Sequence, residues 1–546
     1  MEIRRPKYSP VIWFNRLVAS SFIGRLFRLE GSSHPEEIAG TTFLNELGTG
    51  AKTFAAMTYI IAVNASILSQ TGGPCICDEK NRNDCDKIPS YATCQEEVRR
   101  DLVMATSVMS ALSSFMFGLA TNLPIALAPG MGLNAYFSFH VVGYNGSGKV
   151  PYGVALTAVF LEGLVFIFFA LTGLRQWLVK LIPSTIKIAT GAVIGLFLAE
   201  IGLSYGSGIG PLLDMCDSGI MTSLKMWAAI FVGGIFVVYL MAFRVKFAFL
   251  VGILLVSVVS WPRGTSITYF TNATEGDSRF DLFRQVTSFH PMKHTFNALD
   301  WEIAEHGTQF VLTLFTFLHV DIIDATTTLY SMMETFLALS ISISALFGCS
   351  PVTAFIESGA GIAAGGRTGI TAMATGVLFL VAVMFGPIFS SVPPWATGPT
   401  LILVGCLMAR QMTEINWRYI GDTLPSFVVI AFVPFSYNVA YGIIAGMFLY
   451  ATINILVTLT ARISGGTLEP ENYDFKEYWT WKAPRNKPWY IRMFRNSGKS
   501  TDGFHPQACP SVSDCEMMRV GSSDEGKEEP RAIVSVPLKT FSRVPR

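Results

Sequence analysis

Charge is what this chain is short of. Of its 546 residues only 14% are Asp, Glu, Lys or Arg, against about 25% in soluble domains. The deficit is concentrated: residues 226–243, 247–261, 371–392 and 434–461 contain no charged side chain. Each run meets or approaches the roughly 20 apolar residues that carry a helix across a bilayer core. These runs also lack the polar face that helices of a large soluble core would need, which excludes that class. A net charge of only +1 leaves no bulk attraction to nucleic acid. No Gly-x-Ser-x-Gly elbow, phosphate-binding loop or zinc motif occurs, so an enzyme reading lacks its machinery.

A cleavable leader is missing too. Arg4, Arg5, Lys7, Arg16, Arg25 and Arg28 precede any long apolar stretch, and residues 18–23 are too short for a signal core. Residues 1–50 are therefore expected to form a cytosolic tail. Apolar segments then fall at 51–70, 102–120, 124–142, 150–174, 182–203, 226–243 and 247–261. After a polar exterior loop at 262–305 come 308–329, 336–347, 351–364, 368–389, 395–408, 424–436 and 438–460. The expected fold is an all-α polytopic membrane protein with about fourteen transmembrane segments, seven in 51–261 and seven in 306–462. Residues 463–546, polar and rich in Lys, Glu, Ser and Pro, are expected to be cytosolic and largely disordered.

The cations fit one orientation. Arg175, Lys180, Arg244, Lys246, Arg367, Arg410 and Arg418 fall in connections on the side of the leader, and the exterior connections carry few, such as Lys149 and Lys225. Cys75, Cys77, Cys85 and Cys94 crowd the exterior loop 71–100. That loop has no histidine and no Cys-x2-Cys knuckle, which favours disulfides over a metal site. The sequons at Asn145 and Asn272 fall on the same exterior side.

An odd number of spans inverts the second set relative to the first, the pattern of secondary transporters with a midplane site. The third span, NLPIALAPGMGLNAYFSFH, and the tenth, CSPVTAFIESGAGIAAGGRTG, both mix Pro, clustered Gly and a polar residue into an apolar run. Both are expected as broken helices lining a cavity. Acids inside spans are costly, about 3 kcal/mol each on insertion scales, and mark function. Five occur: Glu162, Glu200, Asp321, Asp324 and Glu357. Asp321 and Glu357 sit where the repeat should break and are assigned to substrate or proton. Asp324 shares a helix face with Asp321 at a spacing of three. Glu162 and Glu200 lie in regular helices and are read as structural pairing residues. Gly130 and Gly132 permit close backbone approach, and Asn134 offers a donor and an acceptor to a planar heterocycle. Phe137 and Phe355 are candidates to stack on such a ring, and His319 is read as a helix-interface histidine.

LAPGMGLNAYF, VDIID, SPVTAFIESGAGIAAGGRTG and PPWATGPTLILVG closely resemble the adenine–guanine–hypoxanthine permeases of the AzgA-like family, fungal branch, from about Thr42 to Tyr473. The resemblance implies a uracil-permease-like fold with core and gate domains, and proton-coupled purine import at the plasma membrane. Both termini would be cytosolic, the co-transported proton would be the only cofactor, and a homodimer would be allowed. It places substrate contacts on Gly132, Asn134, Asp321 and Glu357, with Asp324 supporting. The runner-up is a carrier of the same fold for uracil, xanthine or an anion. One departure stands out: relatives carry a longer stretch where Met333 meets Glu334. The ninth span, 336–347, is correspondingly short, and the chain is expected to transport poorly.

Overall fold

The computed structural model describes residues 10–75, 85, 88–174, 178, 182–203, 224–243, 245, 247–271, 274–288, 290–326, 331–355, 357–436 and 439–463, all within one compact unit, Met1–Pro488. Spans 1 to 7 are Phe43–Ser69, Pro89–Thr121, the broken segment 127–141, Tyr152–Thr172, Ser184–Leu203, Leu224–Ala242 and Ala248–Ser260. Spans 8 to 14 are Gly307–Thr326, Ser331–Leu346, the broken segment 352–363, Gly369–Val383, Pro394–Ala409, Ile420–Ser436 and Val439–Ile463. Large apolar side chains such as Phe231, Ile235, Tyr239, Ile455 and Leu459 stand exposed on spans 6 and 14, as lipid-facing helices require.

The inverted repeat shows in who packs on whom. Span 11 packs on spans 1 and 2, and span 4 on spans 8 and 9. Span 5 packs on spans 12 and 13, and span 12 on spans 5 and 6. Shifting every number by seven exchanges these pairs. Spans 1–4 and 8–11 form the core domain, and spans 5–7 and 12–14 form the gate. In the gate, spans 5 and 12 meet backbone to backbone. A Cβ on Gly195 would lie 2.5 Å from the Gly405 carbonyl oxygen, and one on Gly405 only 2.3 Å from that of Gly195.

The two broken spans cross through a short sheet. Strand β1 (Leu127–Pro129) pairs antiparallel with β2 (Val352–Ala354), with Ala128 opposite Thr353. Pro129 has no N–H to donate, so the strand leaves the ladder there, and Gly130 N–H donates to the Pro351 carbonyl (2.9 Å). At the other end Phe355 N–H donates to Ala126 O (3.2 Å), and Ala126 N–H to Ser358 Oγ (3.0 Å). Ser114 of span 2 accepts from Leu127 N–H (2.9 Å) and donates to Leu127 O (2.8 Å). Non-helical backbone in the bilayer interior is thereby satisfied by the protein itself.

Several boundaries differ from expectation. Span 1 begins at Phe43, not 51, because Glu46 is fully buried. It accepts N–H bonds from Arg367 (3.0 Å) and Thr368 (3.2 Å) and the Thr371 hydroxyl (2.6 Å), closing the start of span 11. The leader also holds the helices Pro10–Ala19 and Phe22–Leu26, and Ala19, Phe27 and Leu29 bury against Ile370. Span 2 starts at Pro89, thirteen residues before the expected 102. Its charged turns survive inside because their partners are there: Asp101 accepts backbone N–H bonds from Lys293 (2.9 Å) and His294 (2.7 Å). The segment expected at 368–389 breaks into Gly369–Val383 and Gly386–Ser390, where Pro387 cannot continue the first helix. Span 9 runs from Ser331, so Met332 and Met333 extend it to 16 residues, about 24 Å at 1.5 Å each. Residues 463–546 lie outside the described residues except Ile463.

Cys75 and Cys94 form a disulfide, and Cys85 is disulfide-bonded as well, while Cys77 lies outside the described residues. The sequon at Asn145 is not presented to solvent: its side chain is buried, and Oδ1 accepts from the Tyr91 hydroxyl (3.1 Å). Asn272 lies outside the described residues.

Candidate functional site

A cavity of about 290 Å³ opens where the strand-to-helix breaks of spans 3 and 10 face the gate. That is the low end of the roughly 300–1,000 Å³ found for small-molecule pockets. The core wall is made by Gly130 to Leu133, Val320 and Thr353 to Phe355, together with Glu357; the gate wall is made by Ile194, Val404, Leu407, Met408 and Gln411. Bare backbone sets the fit. A Cβ on Gly132 would stand 2.4 Å from Ile194 Cγ2, and one on Gly130 would stand 2.7 Å from Thr353 Cγ2.

Glu357 follows β2, just before the helix Ser358–Ala363, and is the only ionisable side chain among the described residues of the lining. Its Oε1 accepts the hydroxyl of Tyr59 in span 1 (2.5 Å). This bond fixes the carboxylate and leaves acceptor capacity for a ligand N–H.

The sequence-derived candidates separate into two groups. Gly132 and Glu357 line the cavity, and Phe355 joins them. Asn134 does not: it is fully buried behind the lining, and its amide atoms find no hydrogen-bond partner among the described residues. Asp321 does not either. Its neighbour Val320 takes the lining position, and Asp321, 2% exposed, is turned toward the buried Glu162 of span 4. One residue along a helix is a rotation of about 100°, enough to move a side chain from the cavity to the helix interface. Asp324 lies on the helix Gly307–Thr326, and its side chain is outside the described set. Glu162, read as a structural acid, faces a second acid rather than a hydroxyl. Phe137 is fully buried against Tyr152 and Phe317, so it is core. His319 stacks on Phe315 in the same span (5.8 Å, 27°). Tyr59, Thr353 and Gln411 were missed. Tyr59 is one of 17 tyrosines in an apolar run, and no local signal separates it from lipid-facing ones.

A second cavity, of about 270 Å³, lies at the other end of span 12, beside Trp395. Arg99 of span 2, Lys225 of span 6 and Arg279 meet there with Glu96. Arg99 donates to the Tyr269 hydroxyl, after span 7, and to the Val392 carbonyl, before span 12. Arg279 Nε pairs with Glu96 at 3.2 Å, and Lys225 Nζ sits 4.7 Å over the Trp395 ring. Burial pushes the Tyr269 phenol up, against the pull of Arg99, so it stays a neutral hydroxyl that can accept from that guanidinium.

The sequence profile of the xanthine/uracil permease family matches residues 88–445. The chain is 49% identical to an efflux pump of Aspergillus versicolor, over 88% of this chain and 90% of that one. It is 32% identical to a guanine/hypoxanthine permease of Bacillus subtilis, over 76% and 92% of the two chains. Among solved structures it is similar in fold to the murine Slc26a9 anion transporter in its inward-facing state (TM-score 0.50, 11% identity, 84% of this chain and 73% of that one). A chain whose two halves cross through paired strands over one enclosed carboxylate, and which matches a family profile along most of its length, is a member of the xanthine/uracil permease family: a multi-pass membrane permease and not an enzyme.

Proposed function

We propose that this permease imports purine nucleobases (adenine, guanine and hypoxanthine) across the plasma membrane together with a proton. One observation carries the reading: among the described residues a single carboxylate, Glu357, faces an otherwise mostly apolar cavity of small-molecule size. A neutral purine is a flat apolar ring edged with N–H donors and acceptors. An ionised Glu357 accepts its N–H groups through charge-assisted bonds, while Phe355, Leu407 and Met408 cover the ring. Gly132 keeps the backbone close. An anion carrier would be expected to offer a cation here, and the described lining residues include none.

The proton is assigned to the Asp321–Glu162 pair, with Asp324 supporting. Two carboxylates in a low-dielectric interior repel strongly, and a shared proton removes that repulsion before the core moves. Asn134, next to the lining, supports the site from behind. Both termini are placed in the cytosol, and the disulfide loop faces the exterior.

The test is uptake of radiolabelled adenine, hypoxanthine, uracil and xanthine in cells lacking their own carriers. Purine uptake that rises as external pH falls and collapses with a protonophore is expected. Uptake of uracil alone, or sodium-dependent and pH-independent uptake, overturns the reading. The efflux pump among the relatives makes direction a specific question, and loss of preloaded purine without any uptake identifies an exporter.

A further inference from the structure

The gate wall of the cavity is apolar except at one point. Ile194, Val404, Leu407 and Met408 can cover a ring but cannot tell one substituent from another. Gln411, in the short 3-10 helix Arg410–Glu414 that follows span 12, is the only described gate residue on the lining with a polar side chain. It is half-buried, and its carboxamide makes no hydrogen bond to another described residue. Yet the amide is not loose in the opening: its oxygen end rests against span 5. A Cβ added to Gly191 would stand 2.1 Å from Gln411 Oε1 and 3.1 Å from its Cδ. Gly191 is one turn from Ile194, which meets Gly132 across the cavity. The bare α-carbon at 191 thus makes a seat for the amide on the wall opposite the core.

A primary amide presents one acceptor and one donor pair side by side. Adenine and hypoxanthine differ at position 6, where a 6-amino group donates and a 6-oxo group accepts. An amide can answer either by rotating, which suits a carrier that accepts both. We propose that Gln411 is the specificity-determining residue of the gate, reading the group at position 6 while Glu357 holds the N–H groups of the ring from the core. The assignment rests on the purine reading given above.

The experiment measures adenine and hypoxanthine uptake per surface-expressed molecule for the wild type, Gln411→Leu, Gln411→Glu and Gly191→Ala. Gln411→Leu is expected to lower both uptakes at least fivefold. Gln411→Glu keeps the shape but only accepts, so it should favour the 6-amino purine and repel the 6-oxo one. Its adenine-to-hypoxanthine ratio is expected to rise at least threefold. Gly191→Ala unseats the amide without touching its chemistry, and its uptake of both purines should fall as that of Gln411→Leu does. A wild-type ratio in an active Gln411→Glu overturns the assignment alone. If that variant fails to reach the surface, wild-type uptake of both purines by Gly191→Ala overturns it instead. A wild-type chain that carries neither purine overturns the purine reading and this assignment with it.

Discussion

The two ends of span 12 border cavities of nearly equal size and opposite character, about 290 and 270 Å³. The one near Gln411 is greasy, with a single acid. The one near Trp395 is crowded with cations that already have partners, through Arg99, Arg279 and Lys225. A ligand entering the first finds an acceptor with capacity to spare. Anything entering the second must displace bonds that join the core to the connections around spans 7 and 12. The difference separates a binding place from a closure. On the disulfide side, core and gate are tied together; on the Gln411 side, they stand apart around the site.

The largest effect is expected from removing the acid. Glu357→Gln should cut purine uptake by a factor of about 10 to 100, in line with the roughly 1.5–3 kcal/mol of a hydrogen bond to a charged group. Surface expression should be normal, and full uptake by a well-expressed mutant removes Glu357 from the site. Next comes the closure. Arg99→Met leaves Tyr269 and the Val392 carbonyl without their donor, and should loosen the disulfide side. A cysteine placed at Ser69, on the same cavity, should then react several-fold faster with an impermeant thiol reagent. An unchanged rate means that the Arg99 bonds do not hold that side shut. Gly132→Ala tests the opposite end. Its methyl must push Ile194 away, an overpacking cost of about 1–3 kcal/mol, and a roughly fivefold loss of uptake is expected. Uptake at the wild-type rate shows that the walls yield. The smallest effect concerns the Cys75–Cys94 bridge, which borders neither cavity: impermeant reductant should expose thiols on intact cells yet change uptake less than twofold. Labelling that requires permeabilised cells reverses the topology.

Much of this was readable in the residues, for identifiable reasons. Charge-free runs marked the spans because lipid punishes charge wherever it occurs. Clustered Pro and Gly marked both breaks, and an acid beside one of them marked Glu357. Facing was harder. Val320 and Asp321 are adjacent, and only the packing of span 8 on span 4 decides which one turns to the cavity. Asn134 was chosen for its amide, but burial behind the lining is set by where span 3 meets its neighbours. Glu46 was lost among the residues of a basic leader, because its donors, Arg367 and Thr368, lie more than 300 positions away in sequence. Gln411 lies beyond the expected span 395–408, and its seat on Gly191 exists only in three dimensions.

The meeting of Gly195 with Gly405 bears on how such a machine keeps its tolerances. Side chains hop between rotamers, so an interface built from them has play. Here spans 5 and 12 of the gate approach so closely that α-carbon meets carbonyl, the stiffest parts available. Ile194, one residue from this contact, and Gln411, one short turn beyond the end of span 12, are mounted on the same pair of helices. The ruler against which a passing ring is measured is thus calibrated by two residues that never touch it. Any side chain at 195 or 405 should blur selectivity before it abolishes movement.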